Sequence, residues 1–331
     1  MYDFNNFISH WDNLYNNWKN DPETTIKGNV YLSKYSNNPE KSPLYGKDKR
    51  SEFQFHRYRP EPYIGNPKDC CAVILNLNPG FGISFDEENI TEHPDYKLQY
   101  VDNCCDESYS CTALKFEPYL AGDIVNGEQN KIVKGCSNIP GGVLWWYGKY
   151  DAQIGKCIGG RIDYVKNLYQ KWFNMPPNKL PFAVELCPWH SHNFQTSYIF
   201  NRKNKYIGSD LVNEINDYII TPALEATKGD DVLPFVICIG KAITDLCDLF
   251  GLNHVDECIW NQDNQSENDK WPTKDGKKVN RTYQLYERNG LYLLNIFAPG
   301  GNKPPSIEFQ NSIEEAIIDK IMYYIHSSTQ K

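Results

Sequence analysis

The sequence predicts an α/β protein, a three-layer α/β/α arrangement around a central four-stranded parallel sheet. Four short apolar runs recur along the 331 residues, helical stretches lie between them, and the runs are continuously apolar rather than alternating. Continuous apolar character suits parallel strands whose two faces are both covered, and alternation of strands with helices is the pattern of an α/β domain. We read residues 1–331 as one such domain.

The elements follow in chain order. Trp11, Leu14, Tyr15 and Trp18 recur at i, i+3, i+4 and i+7, which predicts an amphipathic helix whose aromatic stripe is a packing face. This helix and the polar loop after it, "SNNPEKSPLYGKDKR", form an N-terminal extension over residues 1–60. The predicted strands are Ala72–Asn76, Phe182–Leu186, Phe235–Ile239 and Leu291–Ile296. Helices are expected over Tyr164–Phe173, Ser209–Thr227 and Lys241–Phe250. A last helix is announced by the capping box Ser312-x-x-Glu315. Residues 85–160 break the pattern and read as a Cys-rich insertion, and the polar residues 260–282 read as an exposed excursion.

Composition bounds the function. A net charge of -8 argues against a surface that coats nucleic acid indiscriminately, although it leaves room for a small basic cleft. There is no apolar run of about 18 residues, so no membrane span is expected. Met1-Tyr2-Asp3-Phe4-Asn5 shows no basic region leading into an apolar one, so a cytoplasmic protein is expected. Eleven cysteines without an export signal then read as reduced, mostly buried thiols. No Walker A element and no Gly-x-Gly-x-x-Gly after a strand occurs, which disfavours nucleoside triphosphates and dinucleotides.

Each apolar run ends in residues that can carry chemistry: "NPGFG" after the first, "CPWHSHNF" after the second, "GKAI" after the third and "APGGNKPPS" after the fourth. In α/β sheets ligands bind outside the carboxyl ends of the strands. Four such ends converging on one edge would form a single cleft. Asn78-Pro79-Gly80-Phe81-Gly82 is the most informative: a rigid, glycine-flanked turn presenting a carboxamide and an aromatic ring.

The Asn-Pro-Gly turn after an apolar strand, the later Gly-Lys-x-x strand end and the Pro-containing fourth loop resemble the uracil-DNA glycosylase superfamily, in its mismatch-specific and single-strand-selective branches. The blocks "GGVLWWYGKY" and "ELCPWHSHNF" are also similar to bacterial glycosylase-like proteins, and the resemblance spans about residues 60–306 in ordered pieces. It implies a pocket for a base flipped out of the stack, with DNA or a nucleobase-containing ligand as partner. Asn78 would position the attacking water, Phe81 would stack on the base, and backbone N–H groups around Gly80 and Gly82 would bind a base carbonyl. His190 or Asn193 would line the pocket, and, read chemically, His190 or His192 could act as an acid. Asn302, Lys303 and Ser306 would contact phosphate. One departure stands out. The fourth loop, Ala298 to Ser306, lacks the family's His-Pro-Ser type histidine, which leaves open a binding module without catalysis.

Other residue clusters allow further readings. Cys187 and His190 can be read as a nucleophilic pair, although a Cys-Pro step after an apolar strand is more often simply buried. Cys187, His190 and His192 have the spacing of a metal corner, and Cys104, Cys105, Cys111 and Cys136 fall within 33 residues. Neither set completes a standard ligand pattern, and neither metal nor cofactor is expected. The basic and aromatic residues of "FNRKNKY" and "FQFHRYRPEPY" read equally as phosphate-tracking segments or as solvated loops.

Overall fold

The computed structural model describes residues 2–21, 24–25, 28–31, 60, 62–77, 113–114, 148–151, 156–159, 165, 179–189, 209–239, 246–259, 271–272, 278–279, 282–297 and 315–328. The fold is α/β, built on a mixed sheet. The first helix, α1, spans Phe4–Asn20. The strands are β1 Tyr63–Ile64, β2 Cys70–Asn76, β3 Ala113–Leu114, β4 Gly148–Asp151, β5 Lys156–Gly159, β6 Leu180–Glu185, β7 Phe235–Ile239, β8 Asn253–Ile259, β9 Trp271–Pro272, β10 Lys278–Val279, β11 Thr282–Arg288 and β12 Leu291–Phe297. A continuous helical stretch comprises α2 Ser209–Ile215, a π segment Asn216–Ile220 and α3 Thr221–Ala226. A 3₁₀ turn covers Cys247–Phe250, and α4 spans Glu315–Ser328.

All four apolar runs are strands. β2 pairs in parallel with β6 on one side and β7 on the other, and β7 pairs in parallel with β12. The full sheet is larger than four strands, with eight in the order β3-β1-β6-β2-β7-β12-β11-β8. β11 is antiparallel to both β12 and β8, and β1 is antiparallel to β6. After β2 the chain builds β6 on one side and later β7 on the other, so the strand order reverses between β2 and β7.

Every residue of β2 is buried, as are Phe182–Glu185 and Phe235–Cys238. Successive strand residues point to opposite faces, so water reaches neither face of these strands. On one face Val73, Leu75, Phe182, Val184, Val236 and Leu293 pack in a single cluster with Phe7 and Trp11 of α1 and with Leu211, Ile215, Ile219 and Leu224 of the 209–226 stretch. The N-terminal helix is thus part of the core. Phe7 packs against Tyr63 and Phe182, with ring centroids 4.7 and 5.9 Å away. The Trp11 indole donates to the Tyr218 carbonyl at 3.2 Å.

The π segment is held from the far side of the sheet edge. Arg288 donates to Asn216 Oδ1 (2.6 Å), Thr221 Oγ1 (2.8 Å) and the Phe250 carbonyl (2.9 Å). Burial lowers the Arg288 pKa from its ordinary value, with Glu225 and Asp217 opposing the shift. Arg288 also closes the β11–β12 hairpin, where it faces Leu291 across Asn289 and Gly290. Both turn residues have positive φ, 55° and 77°. That is the geometry for which Asn-Gly is preferred in two-residue hairpins.

The expected helices are met unevenly. The 209–227 stretch is helical, with a π interruption that the pattern did not announce. Of the helix expected over 241–250, the described part is the 3₁₀ turn, and of that over 164–173 only Val165 is described. The final helix begins at Glu315, while Ser312 lies outside the described residues.

Two substitutions test this packing by urea unfolding. Phe7→Ala is expected to cost about 3–5 kcal/mol, the range for truncating a core aromatic; a cost below about 1 kcal/mol would place α1 outside the core. Gly290→Ala meets no atom within 4 Å of the added Cβ, so its expected loss of about 1 kcal/mol comes from backbone conformation alone.

Candidate functional site at the carboxyl edge

The strand registers bring the ends of the four apolar runs to one edge. Leu75 faces Val184 on one side and Cys238 on the other, and Cys238 faces Asn295. One residue further, Asn76 faces Glu185 and Ile239 faces Ile296. Beyond the strands the ladder continues: Leu186 N–H donates to the Asn76 carbonyl and Cys187 N–H to the Leu77 carbonyl, both at 2.9 Å. The residue preceding Asn78 is therefore hydrogen-bonded to the first residue of "CPWHSHNF".

Polar side chains are buried at this edge within otherwise apolar strands. Asn76 Nδ2 donates to Glu185 Oε1 at 2.9 Å, and Glu185 is 4% exposed. A buried carboxyl needs such donors, because burial without them costs several kcal/mol, on the order of 2–7 even for neutral polar groups. Asn295 is wholly buried, and among the described residues neither its amide oxygen nor its amide nitrogen has a hydrogen-bond partner. By register Asn295 shares a face with Cys238, whereas Asn76 and Glu185 lie on the opposite face. An unpartnered amide offers one donor and one acceptor side by side.

Tyr31 closes the β6 side. Its hydroxyl donates to the Leu186 carbonyl at 3.1 Å, and burial pushes its pKa well above the ordinary value, with Cys187 and Glu214 adding to the shift. Trp189, three residues after Leu186, is also wholly buried.

The predicted site residues Asn78, Gly80, Phe81, Gly82, His190, Asn193, Asn302, Lys303 and Ser306 lie outside the described residues, as do His192, Cys104, Cys105, Cys111, Cys136, the basic segment 200–206 and residues 53–59 and 61 of the other basic segment; Pro60, Pro62 and Tyr63 of that segment are described, and Tyr63 is buried in β1. Their flanking residues Leu77, Trp189 and Phe297 are described. Among the described residues Cys70, Cys71, Cys187, Cys238 and Cys247 are buried and form no disulfide, and no three His, Cys, Asp or Glu side chains come together as metal ligands. No described helix is long and apolar enough to cross a membrane.

The reading of Cys187 as a nucleophile is corrected by its surroundings. The side chain is wholly buried, and burial pushes the thiol pKa far up; a hydrogen bond from Trp189 N–H acts in the opposite direction and Glu185 in the same one. Reactive cysteines need the thiolate and access to it, and Cys187 has neither.

Asn76, Glu185 and Asn295 were missed as site residues. Their signal was available: each is a polar residue in an apolar run, Asn76 and Glu185 as the last residues of β2 and β6 and Asn295 two before the end of β12.

Comparison of the chain with protein-family models, with curated proteins and with solved structures gives no match.

Two outcomes are expected here. Asn76→Leu removes a donor from the buried Glu185 carboxyl and should cost about 1–3 kcal/mol, whereas Asn295→Leu should be neutral or stabilising, because it removes an amide that is buried without partners. A loss above about 1 kcal/mol for Asn295→Leu would mean that its amide is bonded after all. The second outcome concerns pH. Burial pushes the Cys70 thiol up to about 12, with Cys71 adding to the rise, and moves Cys187 in the same direction. Below about pH 8 both thiols are protonated in the folded and unfolded chains alike. Above it only the unfolded chain loses these protons, so stability should fall as pH climbs from about 8.5 towards the folded values. Denaturation midpoints at pH 7, 9 and 10 check this; replacing both thiols by alanine should flatten the slope.

Proposed function

We propose that this chain is a uracil-DNA glycosylase-like protein that hydrolyses the N-glycosidic bond of a deaminated or modified base in DNA. Its fold is then a three-layer α/β/α arrangement with β6, β2, β7 and β12 as the central parallel sheet. One observation carries the reading: the ladder through Leu186–Asn76 and Cys187–Leu77 joins the chain exits into the first two motifs. It does so beside the point where strand order reverses, the usual place for a ligand in such sheets.

In this reading a flipped base enters at the carboxyl edge and stacks on Phe81. Asn78 orients a water towards the sugar C1′. The water oxygen bonds to C1′ as the C1′–N bond breaks, its surplus proton passes to solvent, the base leaves with the bonding electrons, and backbone N–H groups around Gly80 and Gly82 receive the negative charge on its carbonyl. His190 supplies a proton, Asn193 lines the pocket, and Asn302, Lys303 and Ser306 hold phosphate.

The absent histidine in Ala298–Ser306 favours a second reading, a module that binds a nucleobase, a nucleic acid or a protein without turnover.

Oligonucleotides bearing uracil, hypoxanthine or a mismatch, incubated with the protein and then cleaved with alkali, separate these readings. Strand scission by the wild type and a loss of about 100-fold or more in Asn78→Ala, as expected for removal of a water-positioning group, support the enzyme. Binding of the oligonucleotide without scission supports the module, and equal scission by Asn78→Ala removes the assigned mechanism.

A further inference from the structure

A second feature lies on the other side of Tyr31. A cavity of about 450 Å³ opens between the C-terminal half of α1, residues 24–25 and 28–31, and α2. That volume is within the range of small-molecule sites, about 300–1,000 Å³. Leu14, Val30 and Tyr31 supply apolar wall, and Asn17, Asn29 and Glu214 supply polar groups.

Most of the polar wall is committed to local bonds. The Asp21 carboxylate takes the Thr24 N–H (3.1 Å) and hydroxyl (2.6 Å), and Asn29 Oδ1 takes the Tyr31 N–H (2.9 Å). The Tyr31 hydroxyl is engaged with Leu186. Glu214 is different. Its Oε1 lies 2.6 Å from His10 Nε2, and the His10 ring lies flat on Tyr218, centroids 3.6 Å apart and planes 8° from parallel. The carboxylate is thus braced from behind and 19% exposed. Among the described residues no donor reaches its second oxygen. A positioned carboxylate oxygen at a cavity wall accepts strong, charge-assisted hydrogen bonds from cationic N–H groups.

We propose that this cavity binds a small organic cation with a guanidinium or amine head. The head donates to Glu214, and the stem lies along Leu14 and Val30. The site is separate from the strand-end cleft and does not depend on the glycosylase reading.

Calorimetric titration of the full chain, without DNA, tests it with agmatine as probe and glutarate as its acidic counterpart. Agmatine should bind with a Kd below about 1 mM and glutarate should not. Glu214→Gln keeps an oxygen for His10 but removes the charge, and should weaken agmatine about tenfold or more. Asn17→Arg, at an exposed position on the rim, should fill the site and abolish binding without changing Tm. No agmatine binding, equal binding of glutarate, or unchanged affinity in either variant of native Tm would overturn the proposal.

Discussion

The parallel register of β6, β2, β7 and β12 is the constraint from which the rest of the structure follows. Parallel neighbours cannot be joined by tight turns, so each must be reached by a long connection, and their carboxyl ends necessarily fall on one side. Segments more than a hundred residues apart in sequence thereby leave the sheet next to one another. Asn76 bonded to Glu185, and Leu77 to Cys187, are the local expression of that geometry. A shift of one residue in β2 would turn Val73 and Leu75 away from the cluster formed with Phe182, Val236 and α1, so burial itself fixes the register.

The same burial makes polar groups at the edge informative. Apolar residues at 76 and 185 together, or at 295, would extend the core at no cost in unsatisfied hydrogen bonds. Asn76 and Glu185 offset part of the cost by bonding each other, and Asn295 lacks even that compensation among the described residues. Polar groups retained where an apolar residue would be more stable often mark function. Meanwhile the scaffold around them is held firmly. Arg288 binds one acceptor each in the π segment, α3 and the 3₁₀ turn, and Phe7 and Trp11 anchor the N-terminal helix in the core.

What could be read from the sequence depended on burial. The four inner strands were visible because residues such as Ala72–Leu75 and Phe235–Cys238 are buried on both faces and so are uninterruptedly apolar. β8 was not, because Asn253, His254 and Val255 are exposed on an end strand of the sheet and carry no apolar pattern. β11 does carry a strong local hairpin signal, Asn289-Gly290 between two strand-like segments, although it directly follows the polar 260–282 stretch. The pairing of His10 with Glu214 joins residues 204 apart, and no local pattern announces it. At the strand ends the motifs were legible as residue types, while the bond between Asn76 and Glu185 required the register. The residues assigned chemistry in the sequence, Asn78 and His190 among them, begin where the described strands stop.

Photocrosslinking tests the central claim, that a nucleobase docks where β2 and β6 leave the sheet. A single-stranded oligonucleotide carrying one 5-iodouracil, irradiated with the protein and mapped by mass spectrometry, should form adducts within residues 78–82 and 190–193. Adducts confined to other surfaces, such as the exposed Tyr323 of α4, or none at saturating oligonucleotide, would contradict it.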